Sequence, residues 1–156
     1  MSAIAQRNRW SVATQWMSLH EHRLAVLELI VLATLVSTGL HYPHNYVQVH
    51  HYPPSGLASA DTTRTGILVV WPLLTAVGLI GLWLYARRVY GLAHVCIVAY
   101  SFLGIVTLGH FVDGSPDIPA FWYATIFTDA IVGFAALAFV AWSALATAGT
   151  REPRPR

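Results

Sequence analysis

Four long apolar stretches, separated by short polar segments, set the pattern of this chain. Leu24 to about Leu40 is the first. As a helix its 17 residues rise by roughly 26 Å, enough for a hydrocarbon core of about 30 Å when the flanks help. Gly66 to Ala86, Gly91 to Val112 and Ala120 to about Ala146 are the others. The link from Arg87 to Tyr90 is so short that the second and third stretches must form an antiparallel hairpin. Asp113-Gly-Ser-Pro-Asp-Ile-Pro119 is a turn by composition. The pattern predicts an all-α integral membrane protein. Residues 24–148 form a single four-transmembrane-helix bundle, with spans at about 24–40, 66–86, 91–112 and 120–146.

The flanks have their own patterns. In residues 1–23, Trp10, Ala13, Trp16 and Met17 recur at helical spacings beside Arg7 and Arg9, which predicts an interfacial amphipathic helix. Between the first two spans, Pro43, Pro53, Pro54 and Gly56 are expected to exclude a regular helix and to make an ordered polar loop. Asp61-Thr62-Thr63 is the expected cap of the next helix. Residues 149–156 read as a disordered basic tail.

Composition agrees with a membrane setting. The chain is 56% hydrophobic and 10% charged, where soluble domains carry about 25% charged residues. All nine basic residues are arginine, so a lysine Schiff base to retinal is excluded. The arginines form no basic patch, and a nucleic-acid partner is not expected. Cys96 is the only cysteine, so there is no disulfide within the chain and no thiolate cage. No A-x-A-like site directly follows the first apolar run, which is therefore expected to be an uncleaved span. Arginine placement orients the spans. With the N-terminus in the cytoplasm, Arg7, Arg9, Arg23, Arg87, Arg88, Arg151, Arg154 and Arg156 are inside and only Arg64 is outside. Both termini are then cytoplasmic and the His41–Tyr52 loop is extracytoplasmic.

Candidate chemistry concentrates at that outer side. His41, His44, His50 and His51 are four of the eight histidines, and His110 and Asp113 end the third span on the same side. His41 and His110 are expected at matched depth. Imidazole is the commonest protein ligand for zinc and copper, so this cluster predicts a transition-metal site, with copper favoured over zinc by the compartment. A b-type haem between His41 and His110 is a lesser variant. The competing reading is interfacial packing of amphipathic rings and pinning of the loop. A second candidate is Asp129, near the middle of the fourth span, where an ionisable group costs at least about 2.5 kcal/mol. Tyr100, Ser101, Thr75 and Thr34 are expected at its depth. His20-Glu21-His22 splays its rings apart on a helix and reads as a solvated turn. Gly78, Gly81, Gly104 and Gly109 read as packing contacts.

The layout of four spans, with a long first loop and a short second one, resembles that of the sterol-isomerase and sigma-2 receptor superfamily. The resemblance is topological, and it implies a lipid or sterol-like ligand. Three functions follow as expectations. One is an outward-facing metal-binding, metalloprotein-assembly or oxidoreductase-associated subunit. Another is a non-catalytic accessory subunit, held by other membrane subunits or by a homo-oligomer within the lipid bilayer. The last is a lipid or sterol-like ligand binder or isomerase centred on Asp129 and Tyr100.

Overall fold

The structure, a computed structural model, describes the backbone of residues 3–53 and 59–148 and the side chains of 19–53 and 59–147. The described residues contain helices and no strand. Helix α1 spans Ala3–Val47, α2 Ala60–Ala86, α3 Tyr90–Ile105 and α4 Ala120–Ala148. A short 3-10 turn, Val49–His51, follows α1, and a second, Val106–Phe111, extends α3. All four are long and apolar enough to cross a membrane, α3 when taken together with its 3-10 extension to Phe111.

Helix α1 corrects two expectations. It runs unbroken from Ala3 through residue 23, so residues 3–23 are not a separate helix. The stripe of Trp10, Ala13, Trp16 and Met17 lies outside the described side chains. The helix also continues past His41 to Val47, with Pro43 inside it. A proline removes one backbone donor and crowds the carbonyl four residues back. Here that residue is Gly39, which has open space around it, and the helix ends only one turn later. His41, His44 and Asn45 therefore stand on a helix and not in a loop. His20 is also not solvated: it is buried in α1, with Nδ1 2.9 Å from the Tyr90 hydroxyl.

The other boundaries move less. The cap of α2 is Ser59, whose hydroxyl accepts the Thr62 N–H at 3.2 Å, so Asp61-Thr62-Thr63 form the first turn instead. Asp61 there complements the helix dipole. The α2–α3 hairpin turns on Arg88, whose φ is 64°, and Val89 N–H closes it on Leu84 C=O at 2.9 Å. Residues 149–156 lie outside the described residues.

Helices α1 and α3 each pack against both α2 and α4, and touch each other only lightly. Polarity runs from the inside out. Leu29, Leu68, Phe102, Ile131 and Leu145 are exposed, while Thr34, Ser37, Thr38, His41, Ser101, Thr107, Asp129 and Ser143 are buried. Apolar atoms facing outward and hydrogen-bonded polar atoms facing inward suit a hydrocarbon solvent. Glycines set the closest approaches. A Cβ on Gly78 would enter the Tyr100 ring, and one on Gly104 would enter the Asp129 backbone carbonyl. A Cβ on Gly109, by contrast, would meet nothing within 4 Å, so no close approach depends on that glycine.

The Gly104 contact predicts a clear mutational contrast. Gly104→Leu is expected to force α4 away from α3 and to destabilise the protein by about 1–3 kcal/mol, the usual cost of overpacking. Gly39→Ala, with open space around the glycine, is expected to be neutral or slightly stabilising. Thermal unfolding in detergent, followed by circular dichroism, checks both.

Candidate functional site

The site grows out of a polar stripe on α1. Thr34, Ser37, Thr38, His41 and Asn45 recur at spacings of three and four, so they share one helix face. All five are buried. Thr34 and Thr38 satisfy themselves, donating to Ile30 C=O and Thr34 C=O at 2.8 Å. Ser37, His41 and Asn45 reach across to other helices. Facing them on α4 are Thr125, Thr128 and Asp129, again three and four residues apart.

At the deeper level, Ser37 Oγ donates to Asp129 Oδ1 and lies 2.8 Å from Thr128 Oγ1. Asp129 is fully buried, and its Oδ2 has no protein partner. The expected companions of Asp129 do not bond to it. Ser101 donates to its own helix at Val98 C=O, and the buried hydroxyls of Tyr100 and Thr75 have no hydrogen-bond partner.

At the shallower level, α1 meets α4 and the end of α3. His41 is fully buried, and its Nδ1 lies 3.3 Å from Thr125 Oγ1. The Thr125 hydroxyl donates to Trp122 C=O at 2.7 Å, so toward His41 it can only accept. That fixes the proton of neutral His41 on Nδ1 and leaves Nε2 bare. His41 Nε2 faces His110 Nε2 at 3.3 Å. The Asn45 amide nitrogen lies 3.1 Å from the same His110 atom and donates to it. Asn45 Oδ1 is buried without a partner. The two imidazole nitrogens and the Asn45 amide thus converge on one place.

The remaining histidines are placed differently. His44 stacks on Trp122 at 4.0 Å, and its Nδ1 is 3.0 Å from the Tyr52 hydroxyl. Tyr52 in turn covers His110, with ring centroids 4.6 Å apart. His50, His51 and Asp113 are exposed. His51 contributes its backbone, with its carbonyl accepting Asp117 N–H at 2.8 Å. Of the predicted cluster, then, the structure brings His41 and His110 together, sets His44 beside them through Tyr52, and leaves His50, His51 and Asp113 at the surface. Among the described residues no group of three His, Cys, Asp or Glu side chains converges. His110, Asn45 and Tyr52 border a cavity of about 560 Å³, walled by Val49, Val106 and Val112 and rimmed by His50 and Asp113.

Asn45, Ser37, Thr125 and Tyr52 are site residues that reading the histidines alone does not find. The signal for the first two was present: once α1 is allowed to pass Pro43, the stripe from Thr34 to Asn45 is plain.

Comparison with known protein families, with curated proteins and with solved structures finds no match for this chain.

Burial pushes the Tyr52 phenol up to about 12, and the Asp129 charge adds to the shift. A raised phenol favours the neutral form in the folded state. The resulting stabilisation is complete below the unfolded value of about 10 and is lost as pH rises through about 12. Thermal unfolding between these two pH values is expected to weaken more steeply in the native chain than in Tyr52→Phe.

Proposed function

We propose that this chain is a multi-pass membrane protein, a four-helix bundle whose His41–His110 pair binds one transition-metal ion at its extracytoplasmic end. The carrying observation is the approach of two imidazole nitrogens, His41 Nε2 and His110 Nε2, to 3.3 Å. With both nitrogens unprotonated the pair repels, and a cation between them turns the repulsion into two bonds. The spacing also suits a single ion. Two nitrogens bound at 2.0–2.1 Å in a tetrahedral shell lie about 3.4 Å apart.

The surroundings support this reading. The Thr125 hydroxyl orients His41 through its other ring nitrogen, as outer partners of metal-bound histidines do. Rotation of the Asn45 amide brings its unpartnered oxygen toward His110 as a third ligand. The fourth position faces the cavity, as it does in sites that exchange water or substrate. A donor set of imidazole nitrogen and amide oxygen, with no thiolate, suits zinc or Cu(II). The short separation favours a bare ion over a haem, whose macrocycle must fit between its axial ligands. The arginine count favours the extracytoplasmic side, where copper is handled, and a role as a metalloprotein-assembly or oxidoreductase-associated subunit. The rival lipid or sterol ligand centred on Asp129 and Tyr100 gains less support, because the cavity lies beside His110.

Metal analysis of detergent-purified protein, before and after reconstitution with copper or zinc, is expected to give about one equivalent. His41→Ala and His110→Ala are expected to abolish binding, and Thr125→Val to weaken it by about 10- to 100-fold. Less than about a tenth of an equivalent in the native chain overturns the proposal. A reporter fused after Gly114 is expected to read extracytoplasmic, and a cytoplasmic reading reverses the orientation.

A further inference from the structure

The end of the bundle away from His110 carries positive charge that its own carboxylates do not pair. Arg23 on α1, and Arg87 and Arg88 in the α2–α3 turn, lie at that end. Among the described residues the only carboxylates on its side of the bundle are Glu21 and, five residues beyond Arg23, Glu28; both are exposed. The one ion pair among the described residues is Arg64–Asp61, at the opposite end. We propose that Arg23 and Arg88 together hold the phosphate of one anionic phospholipid. The proposal rests on the reading of this chain as a membrane-spanning bundle and not on the metal site. Arg23 is 18 residues from His41, about 27 Å along α1.

His20 ties the two arginines to one place. It reaches from α1 to α3, with Nδ1 2.9 Å from the Tyr90 hydroxyl, and its ring stacks on Tyr85 at 5.8 Å. Arg88 lies between those two tyrosines in the chain. Arg23 follows His20 by three residues, so the two share one face of α1. Both guanidinium groups act electrostatically on His20; Glu21 acts on it too, but pairs with neither arginine.

Each of the two side chains lacks what an anion supplies. Arg23 is half-buried, with its guanidinium 5.7 Å over the Trp142 ring and beside the Tyr85 hydroxyl. Its buried Nε has no hydrogen-bond partner. A donor on a charged group left without an acceptor is costly, and the planar guanidinium fork matches phosphate oxygens. Arg88 is exposed and stands at φ 64°. Its N–H donates to Tyr85 C=O, and Val89 N–H to Leu84 C=O, which closes α2 with the left-handed cap that glycine fills at least cost. An arginine there strains the backbone, and its side chain makes no hydrogen bond, ion pair or ring contact among the described residues. Arg87 differs, because its guanidinium is engaged 5.4 Å over the Trp83 ring.

The level of the site selects a lipid headgroup over soluble phosphate. Trp83 and Trp142 are exposed, at 57% and 43%, and indoles gather where hydrocarbon meets headgroups. Net charge selects the lipid class. A zwitterionic headgroup brings its own cation, which two unpaired arginines repel, whereas a net-negative phosphodiester brings none. The arginine count favours the cytoplasmic leaflet for this end, the leaflet in which anionic lipids collect.

The test uses full-length, chelator-treated protein in nanodiscs of mixed phosphatidylcholine and phosphatidylglycerol, so its outcome stands apart from metal binding. Native mass spectrometry identifies the lipid that stays on the released chain. About one phosphatidylglycerol is expected, retained over phosphatidylcholine by roughly tenfold, the worth of one charge-assisted hydrogen bond. Arg23→Gln and Arg88→Gln are expected to abolish the preference, and Arg87→Gln to leave it unchanged. Arg88→Gly separates binding from folding. It is expected to lose the preference while raising the melting temperature in phosphatidylcholine alone, because glycine relieves the left-handed strain. Equal retention of the two lipids by the native chain overturns the proposal. So does a full preference in Arg88→Gly, or its loss in Arg87→Gln. Displacement of the lipid by millimolar inorganic phosphate also overturns it, by reassigning the arginines to a soluble anion. A chain that enters neither kind of nanodisc overturns the membrane reading together with this inference; a chain that enters and shows no preference overturns this inference alone.

Discussion

Everything in this fold depends on one constraint: polar groups inside apolar helices must find one another. Ser37, His41 and Asn45 on α1 have no adequate partner on their own helix. Thr125, Thr128 and the end of α3 supply those partners. A buried polar group left unsatisfied costs about 1–3 kcal/mol, so this seam helps to fix the rotation of α1 about its axis. Apolar side chains face outward on every helix and discriminate weakly between rotations. A rotation of α1 by one residue would bury Leu40 and Val36 and turn out His41 and Ser37.

Close helix contact and polar satisfaction work together. Gly104 lets α3 approach the Asp129 carbonyl, and Gly133 does the same from α4 toward the Ser101 carbonyl. These contacts hold α4 at a depth where Asp129 meets Ser37. Thr107 reinforces the junction, donating to Gly104 C=O at 2.6 Å and reaching Ile126 C=O at 3.2 Å. The geometry at His41 therefore rests on backbone contacts at two glycines well inside the helices.

Much of this was legible in the residues. Apolar runs of sufficient length announce the four helices, and the short Arg87–Tyr90 link announces the hairpin. An aspartate in the middle of such a run had to be buried, and it is. The end of α1 was not legible, because Pro43 reads as a stop. In a final turn, over Gly39, it costs only one hydrogen bond. That single difference moves His41, His44 and Asn45 from a loop onto a helix, where period 3.6 decides who faces whom. Counting histidines also overestimated the cluster. His44 prefers the flat face of Trp122 and the Tyr52 hydroxyl, and neither is visible without the third dimension.

The partners of the seam lie far apart along the chain: Ser37 and Asp129 are separated by 92 residues, and His41 and Thr125 by 84. The α2–α3 hairpin, in contrast, is complete as soon as it is made. At a synthesis rate of about 5–20 residues per second, α1 waits on the order of ten seconds for α4. Throughout that interval Ser37 lacks Asp129 and His41 lacks Thr125, while Asn45 meets His110 sooner. Of the four helices, α1 is thus made before the others and meets its α4 partners last.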